Sequence, residues 1–150
     1  MANTNPVFDR VEIAFSDLAN APFEIIDRAE DGTFTVPAIE PGEIVRFKPV
    51  FSEASFESYQ RLETNIDTQV IQVDNIDEEI SVAWYISDGE IQDPVTWPPT
   101  TLTLDTAFTA PSEVPASGSV SIWMVSQDQR GGTSWVQLDV PIAEGAASSR

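Results

Sequence analysis

The sequence predicts an all-β chain folded as one antiparallel sandwich or barrel, and three observations carry that prediction. Valine and isoleucine together number 27 against 5 leucines, with 12 threonines besides. β-Branched side chains fit a pleated surface, whereas helices favour Leu, Ala, Lys and Glu. Apolar residues alternate with polar ones over short runs, separated by turn signals at intervals of roughly 8–12 residues. Finally, 41% of the 150 residues are hydrophobic, including four Trp and eight Phe, which is enough apolar mass for a proper core.

The elements follow in order. The first strand is expected over 10–15, with Val11, Ile13 and Phe15 on one side. Two short pieces, 23–26 and 33–36, flank the acidic turn Glu30-Asp31-Gly32. Pro41-Gly42-Glu43 then turns the chain into a run carrying Val45, Phe47 and Phe51, with Pro49 pointing to an edge or a bulge. Residues 53–79 read as a hairpin inserted between two core strands, built from 56–62 and 69–73 and followed by an acidic run over 74–79. The clearest strand covers 80–86, with Ile80, Val82, Trp84 and Ile86 sharing a face. A further strand over 101–108 would carry Leu102 and Leu104. The last hairpin points Val120, Ile122 and Met124 inward from one arm and Val136, Leu138, Val140 and Ile142 from the other. Its turn, Asp128-Gln129-Arg130-Gly131-Gly132, has glycines free to take positive φ. The domain is thus expected over 10–142, with tails at 1–9 and 143–150.

Charge narrows the function. Twenty-five acids against seven bases give a formal −18 and an isoelectric point near 4.1. Nucleic acid as a partner is excluded, because phosphate contacts need Lys and Arg and there is one lysine. Anionic membrane surfaces are disfavoured, and no apolar stretch is long enough for direct membrane insertion. With no His and no Cys, the Ser-His and Cys-His pairs and the usual zinc, copper and iron–sulfur ligands are missing. A carboxylate pair at glycosidase spacing needs a cleft, and one insertion on a small sandwich is a poor builder of clefts. The chain is therefore expected not to be an enzyme. Its polar start, Met-Ala-Asn-Thr-Asn-Pro, reads as a mature terminus behind an added Met rather than a signal peptide.

Several of these residues stand in a familiar order. Pro41-Gly42-Glu43 opens a strand, Trp84 stands ahead of Ser87-Asp88-Gly89, and Thr109-Ala110-Pro111 precedes Gly118-Ser119-Val120-Ser121-Ile122-Trp123. The chain then closes on Asp128-Gln129-Arg130-Gly131-Gly132 and an apolar strand. This order, over 39–142, resembles bacterial immunoglobulin-like modules of the PKD and cadherin-like kind. It is most similar to those of predicted surface lipoproteins in Gram-negative bacteria. The resemblance implies an Ig-like β-sandwich acting in the periplasm or at the cell surface. Its role would be that of a structural or protein-interaction module, or a subunit of an assembly there. The lipobox Cys and the disulfide of antibody domains are absent, and the insertion is long for such a module.

Trp84 resembles the core tryptophan of such a sandwich and marks the core. Trp123, Val125 and Trp135 have the opposite parity and face outward, joined by Tyr85 from the neighbouring strand. They are the candidate partner-binding residues, for another protein or for self-association, unless the 53–79 insertion folds over them. Aromatics beside Asp139, Gln137 and Gln127 also suit a glycan. Asp74, Asp77, Glu78 and Asp128 are expected at one end of the sandwich, where hard carboxylate oxygens suit Ca²⁺ and could stiffen a spacer domain. Set against this, Asp128 has the position to cap its own turn and pair with Arg130.

Overall fold

The computed structural model describes residues 3–18, 20–101 and 103–150. Its first strands are β1 (Phe8–Ala14), β2 (Glu24–Ile25), β3 (Asp27–Arg28), β4 (Phe34–Thr35) and β5 (Ile44–Phe51). The insertion supplies β6 (Ser58–Asn65) and β7 (Val70–Asp77). Then come β8 (Ser81–Ile86), β9 (Glu90–Ile91), β10 (Val95–Thr96), the helical turn α1 (Pro98–Thr101), β11 (Thr106–Thr109), β12 (Ser119–Gln127) and β13 (Thr133–Pro141). The chain is all-β. Among the described residues no helix is long and apolar enough to cross a membrane.

Two antiparallel sheets enclose the core. One runs β2-β1-β5-β11-β9 and the other β10-β8-β12-β13. Their inner faces meet in a single cluster: Val11, Ile13, Val45, Phe47 and Phe108 from the first, Val82, Trp84, Ile122, Met124 and Leu138 from the second. The period-2 alternation of β12 and β13 is visible residue by residue. Val120, Ile122, Met124, Leu138 and Val140 are fully buried, while their odd-numbered neighbours face out or are half covered. Phe47 and Phe108 lie with ring centroids 6.2 Å apart, a tilted contact typical of packed aromatics.

Some elements depart from expectation. Pro49 belongs to the central strand of its sheet, not an edge. It is tolerated because the β11 ladder stops opposite Phe47 and β1 shifts register between Phe8 and Arg10. The strand expected over 101–108 begins only at Thr106. Thr101 closes a helical turn instead, its backbone N–H bonded to the Trp97 carbonyl, and Leu102 lies outside the described residues. The stretches expected as tails are tied down where they are described. Asn3 bonds Asp128, Thr4 bonds Glu57, and Arg150 bonds the Ala38 carbonyl and Glu43.

The insertion is a free-standing ribbon. β6 and β7 pair over eight positions, from Ser58↔Asp77 to Asn65↔Val70, so the acidic stretch expected as a loop is strand as far as Asp77. Arg61 stands opposite Asp74 in register and pairs with Glu63 on its own strand, while the Ser58 hydroxyl bonds Asp77 across the ladder at 2.6 Å. At the tip, the Asn65 side chain accepts the N–H groups of Asp67 and Thr68, an Asx turn, and Gln69 takes a φ of 54°.

Candidate functional site

Trp84 sits in the core at 4% exposure. Its indole N–H donates to the Thr96 hydroxyl at 2.9 Å, and that hydroxyl donates to the Leu104 carbonyl at 2.9 Å. The single polar atom of the indole is thereby satisfied inside the fold, as burial requires.

The opposite parity builds a different surface. Cross-strand register aligns Val95, Ala83, Val125 and Trp135 in one row over all four strands of the sheet, and Tyr85, Trp123 and Gln137 in the next. Tyr85 is 59% exposed and Trp135 63%. Trp123 and Val125, on the inner strand β12, are half-buried between them. The Trp123 indole N–H donates to the Gln137 side chain at 3.1 Å, and Gln137 donates in turn to Asp139. Among the described residues the insertion leaves this face open, with Tyr85 and Trp135 more than half exposed. All four candidate partner-binding residues therefore share one continuous, open surface.

Sequence reasoning missed two of its members. Val95 and Trp97 extend the surface along β10 and line a shallow hollow with Ser81 and Gln127, rimmed by Asp128 and by Glu79, which accepts the Trp97 indole N–H at 3.2 Å. Their spacing of two was the available signal, but a two-residue strand between Pro94 and Pro98 shows no alternation of its own. The face is also nearly free of charge. Along β8, β12 and β13, Asp139 is the one acid at an outward strand position, in a chain of formal charge −18.

The acidic residues do not gather. Asp74 accepts a bond from Gln72 and Asp77 one from Ser58, both out along the ribbon. Among the described residues no group of three or more acids is placed to hold a metal ion. Glu78 and Asp128 do lie near one another, but as parts of a polar knot centred on Arg130. The Arg130 guanidinium bonds Glu78 at 2.8 Å, bonds Glu57, and lies over the Tyr59 ring at 5.2 Å. Asp128 caps its turn as expected, accepting the N–H groups of Arg130 at 2.8 Å and Gly132 at 2.7 Å. Its expected partner is corrected: the Arg130 side chain turns away to the two glutamates. The turn needs its glycines, because Gly131 takes a φ of 90° and a Cβ at Gly132 would run into the Asp128 carboxylate.

Two carboxyls of the knot are shifted. Burial works to raise Asp128, but the bonds from Asn3, Gly132 and Arg130 outweigh it and hold the group below the usual range. Glu57 is lowered first by the Thr4 hydroxyl, against burial, and further by Arg130. The knot was hidden in the sequence because its members are far apart, Arg130 and Glu57 by 73 positions. One signal was present: Arg130 is the only cation between residues 62 and 149.

On the other sheet, an apolar hollow of about 470 Å³ opens beside Pro49, Phe51, Phe56 and Leu104. Its charged groups are already engaged, Lys48 with Glu12 and the Phe23 ring, Asp105 with Arg46. Comparison with known proteins finds no matching family model, no matching curated protein and no matching solved structure.

Proposed function

We propose that the chain is a non-catalytic, immunoglobulin-like module working outside the cytoplasm, and that it docks a protein through the outer face of β10-β8-β12-β13. The strand order supports the architecture. β1-β5-β11-β9 against β8-β12-β13 follows the A-B-E-D and C-F-G sheets of that fold, with a buried Trp on the strand in the C place. A parallel bridge joins Ile39, in the segment ahead of β5, to Ile142, just past the last strand. The PKD and cadherin-like resemblance, and with it a place in the periplasm or at the cell surface, rests on the sequence order given above.

One observation carries the docking reading. Tyr85 and Trp135 stand more than half exposed on a face that is almost uncharged in a very acidic chain. Interface centres are depleted in charge and enriched in Tyr and Trp, which bring large contact area with few rotatable bonds. The test is a photocrosslinking residue at position 137 in the native source, with and without Trp123→Ala and Trp135→Ala. Capture of a defined protein that disappears in both variants, with unfolding unchanged, supports the reading. Capture that both variants leave intact defeats it. A glycan is the second reading, favoured by the Gln137 and Asp139 side chains beside Trp123, and a glycan array decides it.

A further inference from the structure

We infer that the partner seated on this aromatic face is the inserted ribbon of a second copy of the same chain. The inference rests on the docking reading and names its occupant. The register divides the ribbon into two unlike faces. One carries Tyr59, Arg61, Glu63 and Asp74, and its base is half-buried under Arg130. The other carries Leu62 opposite Val73 and Thr64 opposite Ile71, with every position along it exposed. Leu62 is 69% exposed, Val73 52% and Ile71 64%. The one charge on this second face is Asp77, at the base, where Ser58 bonds it.

Charge restricts where two copies can meet. At −18, two such chains repel wherever acidic surfaces meet, so a contact between copies must use surfaces without acids. The aromatic face and the Leu62 face of the ribbon are two such surfaces, with acids only at their margins: Asp139, Glu79 and Asp128 on the first, Asp77 on the second. Pairing the aromatic face with itself would leave the ribbon bare. Laying the ribbon across it covers both, and supports a two-stranded element that is marginal alone in water.

Dimensions agree. Eight paired residues span about 27 Å and two strands about 10 Å, a footprint that fits a four-stranded face. Such a contact covers on the order of 300 Å² per partner, below the standard size of specific interfaces, so the association expected is weak and transient. Within one chain the ribbon's base is fixed by Arg130 to Glu78 and Glu57, so ribbon and face belong to different copies in the contact. Because the two surfaces differ, the contact is head-to-tail and repeats, closing into a ring or running on as a filament.

The experiment is light scattering of the full chain from about 10 μM to about 1 mM, the range in which a weak, transient contact becomes populated. It uses a ribbon variant, Leu62→Ser with Ile71→Ser, and a face variant, Trp135→Ala with Tyr85→Ala. Each alone should weaken self-association about tenfold or more. An equimolar mixture of the two should restore a complex that stops at two chains, since one intact ribbon meets one intact face. A ribbon variant that assembles like the wild type overturns the inference, and so does a wild-type chain that stays monomeric throughout. Neither result touches the docking reading, which falls only to the crosslinking outcome stated for it.

Discussion

The two outer faces of the sandwich share a core and differ in chemistry. On the five-stranded sheet, Glu12 pairs with Lys48 across the ladder at 3.6 Å and with Arg10 at 3.3 Å, and Arg46 holds Asp105 at 2.7 Å. Three of the seven cations stand there, each beside an acid. That face is dominated by paired charge: the cations and acids of its strands match one another, and the exposed apolar side chains on its strands, Ile25 and Ile44, are aliphatic and stand apart on β2 and β5. The four-stranded sheet carries none of the seven cations on its strands and presents Val95, Tyr85 and Trp135 instead. Exposed aromatics without nearby charge are what a protein keeps when the surface is to be desolvated. The same period-2 rule made both faces, so the difference lies in the residues chosen for the outward positions.

The sharpest way to break the comparison is inside the sheet. Trp84→Ala removes a buried indole and the bond it donates to the Thr96 hydroxyl, and is expected to lower stability by about 3–5 kcal/mol in urea unfolding. A loss near zero would mean that the parity assignment, and with it the division into inner and outer faces, is wrong.

Next in size is Arg130→Ala. The Glu78 side chain has no exposed surface, so losing its cation strands a buried carboxylate. The expected loss is about 3 kcal/mol, with the ribbon's amides gaining hydrogen exchange faster than the core strands. Equal acceleration in core and ribbon would show that the knot supports the whole sandwich and does not specifically anchor the insertion.

Smaller again is the acid response of the knot. Asp128 and Glu57 are held below their ordinary values when folded, so the unfolded chain binds more protons in acid and stability rises with pH across that window. Their contribution is full at neutral pH and fades as pH falls below about 4, through the lowered folded values. Asp128→Asn should weaken the turn by about 1–2 kcal/mol at pH 7 and flatten the acid limb of the melting curve. An acid limb of unchanged steepness would place the proton uptake elsewhere.

What could be read from sequence, and what could not, follows the same physics. Val120 to Met124 and Val136 to Val140 were legible because strand parity admits only two answers and one buries every apolar residue. The outward set Tyr85, Trp123, Val125 and Trp135 came with it. The ribbon was legible as a hairpin, but its C-terminal arm was cut short, since Asp74 and Asp77 look like loop residues until Arg61 and Ser58 are set opposite them. The Arg130 knot was not legible at all. Pairing over 52 and 73 positions leaves no local pattern, and only the rarity of cations hinted at it.

The smallest effect on folding is the most informative about the surface. Trp135→Ala removes an indole that is 63% exposed on an edge strand, so its loss forfeits little packing. Unfolding free energy should move by no more than about 0.5 kcal/mol, an order of magnitude below the Trp84 change. The same Trp-to-Ala change on the same sheet, at Trp84 on β8 and at Trp135 two strands away on β13, would then separate folding from docking cleanly. A stability loss above about 2 kcal/mol would instead mean that Trp135 is packed in solution, by its own chain or by a copy. Dilution distinguishes these two: cover by a copy makes the loss depend on protein concentration, and cover by the chain itself does not.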